Sequence, residues 1–367
     1  MKNISRTFST IITVAVFVTT TVFCQSDSSP KNIILLIGDG MGLNAVTSSV
    51  LSLENDPFKK FPTVGLVVTC AADKLVTDSA AGATAYATGY KTNNKLISIA
   101  PDGKELKTIF DIAEQKNYST GIVATYSFTN ATPACFYAHD TSRHSEKEIA
   151  KDLLRSDIDV VITGGTDYQT IKFYSNTKKD SITFLDSLLY LGYSYFNNYD
   201  DLKNNKSENK ICALLAKYAF VKASDRNYTL GDLTKIALDK LSKNENGFVL
   251  MVEGSQIDKG AENNDFDFMI GEQKDFNTAI NEALEFAKND GNTLVVVTAD
   301  HESGGLALHG KDRQNIDPRW AIQKSHTAAM VGVFAFGPGS EKFTGILENN
   351  EVGKKFINFI QPDYGWK

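Results

Sequence analysis

Carboxylate and imidazole side chains sit just beyond the apolar runs of this sequence. NIILLIG leads into Asp39, GFVLMV into Glu253 and then Asp258, and NTLVVVTA into Asp300 and His301, while VGLVVT is followed by Asp78 and Ser79. A single acid in such a place is ordinarily a helix cap or a solvated loop residue. Four such run ends delivered to one edge of a sheet make a cluster of oxygen and nitrogen donors without thiolates, which suits Zn²⁺ or Mg²⁺.

Ser79 lies in TDSAAGATA, where the small residues after it favour a helix starting there. Free N–H groups and the helix dipole at such a start attract an anion. Two readings stand. Ser79 is either a plain N-cap or a hydroxyl whose pKa a neighbouring Zn²⁺ lowers until it attacks as an alkoxide, with no histidine base.

The elements that must position these groups are legible as apolar, β-branched runs at 32–37, 64–69, 119–124, 159–163, 247–252, 292–298 and 329–336. Unbroken runs of that kind suit strands buried on both faces. Between them, 230–241 and 273–288 place apolar residues at intervals of three and four, as amphipathic helices do. The alternation predicts an α/β fold: a mostly parallel central β-sheet covered by helices on both faces. Segment 171–209 is polar, rich in Asn, Lys and Tyr, and is assigned to the sheet edge.

With 42% hydrophobic and 22% charged residues, the 367-residue chain is neither disordered nor collagen-like. No Pro/Gly/Ser linker or internal repeat interrupts it, so residues 25–367 are expected to form a single domain. Its net charge of −6 argues against nucleic-acid binding. A phosphate-bearing ligand would therefore need local cations, metals or a placed arginine.

Residues 1–24 read as a cleaved signal peptide: Lys2 and Arg6, then an apolar run, then Val22 and Cys24 before Gln25. The expected location is secreted or periplasmic, and the bulky Phe23 makes lipid anchoring at Cys24 a poor fit. Cleavage removes two basic groups and no acids, moving the net charge from −6 to −8. Cys70, Cys135 and Cys212 remain, an odd set without CxxC spacing, so at most one bridge can form.

The stretches GDGMG (38–42), TDSAAGATA (77–85), ATPA (131–134), Ser142-Arg143, EGSQIDK (253–259), TADH (298–301) and Ser325-His326-Thr327 resemble the alkaline phosphatase family, in the same order along the chain. The resemblance spans roughly residues 31–340. It implies a metal-dependent phosphomonoesterase of broad specificity, with two Zn²⁺ sites and one Mg²⁺ site, acting on small phosphate monoesters through a phosphoserine, and as a homodimer. Asp39 would bridge a zinc and the magnesium, and Ser79 would attack phosphorus while bound to that zinc, whose site Asp300 and His301 complete. Asp258 and His326 would hold the second zinc, and Thr132 and Glu253 the magnesium. Arg143 would clamp two phosphoryl oxygens with its planar fork, and Lys259 would reach phosphate through water. The remaining histidines, His139, His144 and His309, read as local or exposed residues, and 303–324, with Arg319 and Trp320, as a lid.

Two positions depart from the family pattern. The family places a histidine four residues after the aspartate of the second zinc site, where this chain has Glu262. Either Glu262 coordinates through oxygen, giving a harder and more weakly binding site, or it is a solvated loop residue beside a one-residue deletion. Asn130 stands where relatives carry Asp or His, so the outer shell of the magnesium site and its relation to Lys259 are altered. A phosphodiesterase or sulfatase of the same superfamily is one alternative, and a catalytically impaired phosphate- or metal-binding protein is another. The plain serine, the Arg143 fork and the retained ligand positions argue against both.

Overall fold

The computed structural model describes residues 29–174, 181–313 and 315–366; the signal-peptide assignment at 1–24 lies outside them. Ten strands form the central sheet: β1 (Asn32–Gly38), β2 (Thr63–Val68), β3 (Ser119–Ser127), β4 (Val160–Gly164), β5 (Tyr193–Phe196), β6 (Lys210–Leu214), β7 (Phe248–Gly254), β8 (Thr293–Thr298), β9 (Val331–Phe336) and β10 (Gly345–Glu348). Their spatial order is β10-β2-β9-β8-β1-β7-β3-β4-β6-β5. All seven runs expected to be strands are present.

Neighbours are parallel except around β9, which runs against both β8 and β2. Two reversals cancel, so β2 still points the same way as β8. In the centre β1 pairs with β8 on one side and β7 on the other. Ile33–Ile37 are each at most 2% exposed, which explains why this strand shows no alternation of polar and apolar residues.

Helices cover both faces. Phe266–Asp290 packs against Leu230–Leu241 and Leu43–Ser52, while Ser79–Thr88 packs against Asn349–Ile360 and Ala131–Ala134. The helix expected at 230–241 has those bounds, and the one expected at 273–288 begins earlier. Asp265 caps it, accepting from the Phe268 N–H, and Gly291 ends it in the left-handed conformation. Within the described residues of 171–209, Tyr193–Phe196 forms the edge strand β5. Among the described residues, Cys70, Cys135 and Cys212 are free thiols.

Candidate functional site

The order β8-β1-β7-β3 sets four parallel strands side by side, so their carboxyl ends open into one crevice. From β1 comes Asp39. β7 contributes Glu253 and leads into the helix Gln256–Glu262 with Asp258, Lys259 and Glu262. Asp300 and His301 follow β8, and Asn130 and Thr132 follow β3. A cavity of about 230 Å³ is lined by Asp39, Ser79, Asn130, Arg143, Asp258, Lys259, Glu262 and His326. Thr132, Glu253, Asp300 and His301 sit behind it, each 0% exposed. Every site residue expected from the sequence is thus in or against one crevice. Tyr126 and Ser255 line the same cavity and were not singled out by sequence, since neither lies in a stretch that announces chemistry.

Ser79 is not the cap of its helix. Asp78 takes that place, its carboxylate accepting from the Ala81 N–H at 3.0 Å. Ser79, relieved of capping, points its Oγ to 3.3 Å from His301 Nε2. Gly82 allows this close approach, because a Cβ there would come 2.8 Å from the Asp300 carbonyl oxygen.

Two donor groups form around His301. Asp39, Asp300 and His301 bring one atom each within 4.8 Å of one another, as do Asp258, His301 and His326. His301 Nε2 is 3.5 Å from Asp39 and 3.2 Å from Asp300, while His326 Nε2 is 3.8 Å from Asp258 and 3.7 Å from Glu262. Both rings have their other nitrogen engaged. His326 Nδ1 donates to the Thr77 carbonyl at 3.0 Å. Ser303 Oγ donates its proton to Asp258, so it can only accept from His301 Nδ1, 3.3 Å away. In the neutral form of each ring Nε2 therefore holds the lone pair, the tautomer a metal ligand needs.

The buried acids carry the clearest sign that this crevice suits a cation. Asp39 Oδ1, both Glu253 carboxylate oxygens, Asp300 Oδ2 and Thr132 Oγ have no hydrogen-bond partner among the described residues. Buried polar atoms are otherwise nearly always paired. Burial, reinforced by the charge of Asp300, pushes Asp39 well above the usual carboxylate range. Burial likewise raises Glu253 to about 8, Asp258 to about 6, and Asp300 in the same direction. His301 is held well below its ordinary value by burial and by His326. Burial opposes charge on His326 too, yet Glu262 and Asp258 beside it raise it to about 9. The donor set, all oxygen and imidazole nitrogen with orphaned lone pairs, fits divalent cations.

Arg143 lines the same cavity beside Ser79's neighbour Asp78. Its guanidinium donates to Asp78 Oδ2 at 3.2 Å, and its backbone N–H donates to the Lys95 carbonyl. The same Asp78 thus caps the Ser79 helix and steadies the arginine. Lys259 is 57% exposed and lies 3.8 Å from Glu262. Asn130 begins the short Ala131–Ala134 helix but makes no side-chain cap, leaving its amide to face the cavity. His139 bonds locally to the Leu106 carbonyl. His144 is exposed, and His309 is exposed on a hairpin strand (Leu306–Gly310) rather than in a loop. The hairpin that includes Arg319 and Trp320 does not cover the crevice: Arg319 pairs with Asp317, Trp320 packs over Gly304, and neither lines the cavity.

Known proteins share this architecture. The profile of the family described as alkaline phosphatase matches residues 30–322. Alkaline phosphatase 4 of Bacillus subtilis (strain 168) is 32% identical over 92% of this chain and 90% of its own length. The alkaline phosphatase of Escherichia coli (strain K12) is 31% identical over 89% and 85%. The solved structure of alkaline phosphatase from the Antarctic bacterium TAB5 is 40% identical, with a TM-score of 0.83 over 91% of this chain and 98% of that one. A histidine-to-glutamate variant of that protein, with Mg bound in its M3 site, aligns with the same TM-score.

Proposed function

The chain belongs to the alkaline phosphatase family, and from that premise we propose that it is an exported, metal-dependent phosphomonoesterase acting through a phosphoserine at Ser79. The observation that carries this reading is a serine hydroxyl at a helix start, free of capping and facing His301 at 3.3 Å, with a pool of unpaired buried carboxylate oxygens behind it.

We assign Asp39, Asp300 and His301, with Ser79, as the residues that would hold one zinc, Asp258, Glu262 and His326 as those that would hold a second, and Asp39, Thr132 and Glu253 as those that would hold magnesium. Bound there, divalent cations would lower the pKa of the serine hydroxyl and offset charge on the phosphoryl oxygens and leaving group. Ser79 Oγ forms a bond to phosphorus as the ester oxygen leaves in line. Water then displaces the serine, releasing phosphate. Arg143, braced by Asp78, grips two phosphoryl oxygens through both reactions. Lys259, Asn130 and Tyr126 line the side where substrate and product pass.

Asp39, Ser79, Thr132 and the rest converge from segments spread over residues 39–326, which supports one catalytic domain at 25–367; the leader at 1–24 rests on the sequence pattern alone. A homodimer is likewise part of the proposal. No helix of the described residues is long and apolar enough to cross a membrane. Hydrolysis of p-nitrophenyl phosphate and of bis-p-nitrophenyl phosphate, measured side by side before and after chelation and metal return, tests the assignment. Monoester turnover far above diester turnover, lost on chelation and regained with zinc and magnesium, is expected; diester preference or metal-independent turnover would refute it.

A further inference from the structure

The residues that follow the two site histidines are tied to each other by one buried carboxylate. Glu302 comes directly after His301 and is 7% exposed. Its Oε2 accepts from the hydroxyl of Thr327, the residue directly after His326, and from the Gly305 N–H at 3.3 Å. Its Oε1 accepts from the Leu306 N–H at 3.2 Å. The two segments also pair as a short antiparallel ladder, Glu302 opposite Thr327 and Ser303 opposite His326. The imidazole rings they carry are stacked, with centroids 3.5 Å apart and planes 15° apart.

The space for this carboxylate is reserved. A Cβ on Gly42 would lie 2.2 Å from Glu302 Cγ, so the helix Leu43–Ser52 begins against the acid without a side-chain cap of its own. The negative charge lies at the positive end of that helix, an electrostatically favourable place. The carboxylate therefore meets three donors and a helix start. An amide in its place would turn one acceptor into a donor facing N–H or O–H groups.

We propose that Glu302 is a positioning residue that clasps the His301 and His326 segments together and so sets both proposed zinc sites at once. It touches neither substrate nor metal. The inference rests on the zinc-site assignment above. It predicts coupling: disturbing one carboxylate weakens both sites, because each histidine is carried on one arm of the same clasp. Outer-shell partners of this kind are worth about 10–100-fold in metal affinity.

The test measures zinc affinity at both sites by competition with a chromophoric chelator, for the parent, Glu302→Gln and Thr327→Val. Thermal unfolding of the metal-free proteins and the imidazole proton shifts of the stacked pair are recorded alongside. Thr327→Val removes a single donor and keeps the carboxylate, so it remains informative if Glu302→Gln does not fold. The expected result is a fall of about 10–100-fold at both sites for Glu302→Gln and a smaller fall in the same direction for Thr327→Val. The imidazole shifts should move in both variants, with metal-free unfolding close to that of the parent for Thr327→Val and lowered for Glu302→Gln, whose amide faces donors. Unchanged zinc affinity, or loss at one site only, would overturn the clasp. If the parent itself binds no zinc, the zinc-site assignment fails instead, and the two failures are told apart by the parent alone.

Discussion

Glu253→Gln probes the fit between the buried acids and a cation without touching the nucleophile. In the metal-free protein the Glu253 carboxyl is fully enclosed and its oxygens lack partners, and burial raises it from 4.5 to about 8. An acid whose folded pKa exceeds its unfolded value binds its proton more tightly when folded. The protonated form then stabilises the fold below pH 4.5, and this contribution is lost as pH rises through 4.5 towards 8. At about 1.4 kcal/mol per unit the loss is on the order of 3–5 kcal/mol, the lower figure applying if Asp39 and Asp300 share the same proton. Urea unfolding of chelated parent and Glu253→Gln at pH 5 and pH 9 measures it. The parent should lose about 3–4 kcal/mol more than the variant across that range. Magnesium should restore the parent at pH 9 and leave the variant unmoved. Parallel stability curves, or equal stabilisation of both by magnesium, would refute the reasoning.

Three further outcomes follow from the same geometry. Arg143→Lys keeps the charge and loses the fork that Asp78 orients, so kcat/KM for a monoester should fall about 10–100-fold in steady-state assays. Glu262→His replaces a carboxylate with imidazole beside Asp258 and His326, so the second zinc should be held about 10-fold or more tightly against chelation; two zincs per parent chain that survive mild chelation would contradict it. Asn130→Asp adds a charge beside the Thr132 site, and magnesium titration of activity should show a lower half-saturating concentration; an unchanged requirement would contradict it.

The central strands were legible because burial on both faces strips them of polar residues, as in Ile33–Ile37. The edge strand Tyr193–Phe196 and its inner neighbour Lys210–Leu214 were not, being only four and five residues long. Their strand character comes from pairing with neighbours rather than from local pattern. The ligand set was legible because each member closes an apolar run or sits in a long motif. Partners defined only by three-dimensional contact were hidden. Asp78 holds Arg143 across 65 residues and Ser303 reaches Asp258 across 45, and neither spacing has a local signature. The proposed lid failed for a similar reason. Gly304 and Trp320 close on each other, which draws the hairpin's aromatic residue into its own base instead of over the crevice.

The central claim is that Ser79 Oγ is the atom that accepts the phosphoryl group. Metal-loaded protein mixed with a phosphate monoester, quenched in acid and digested, should yield the peptide bearing Ser79 with one added phosphate by mass spectrometry. Ser79→Ala should yield none while still binding zinc. A phosphate-free parent peptide during rapid turnover, or a Ser79→Ala protein that turns over like the parent, would contradict the account.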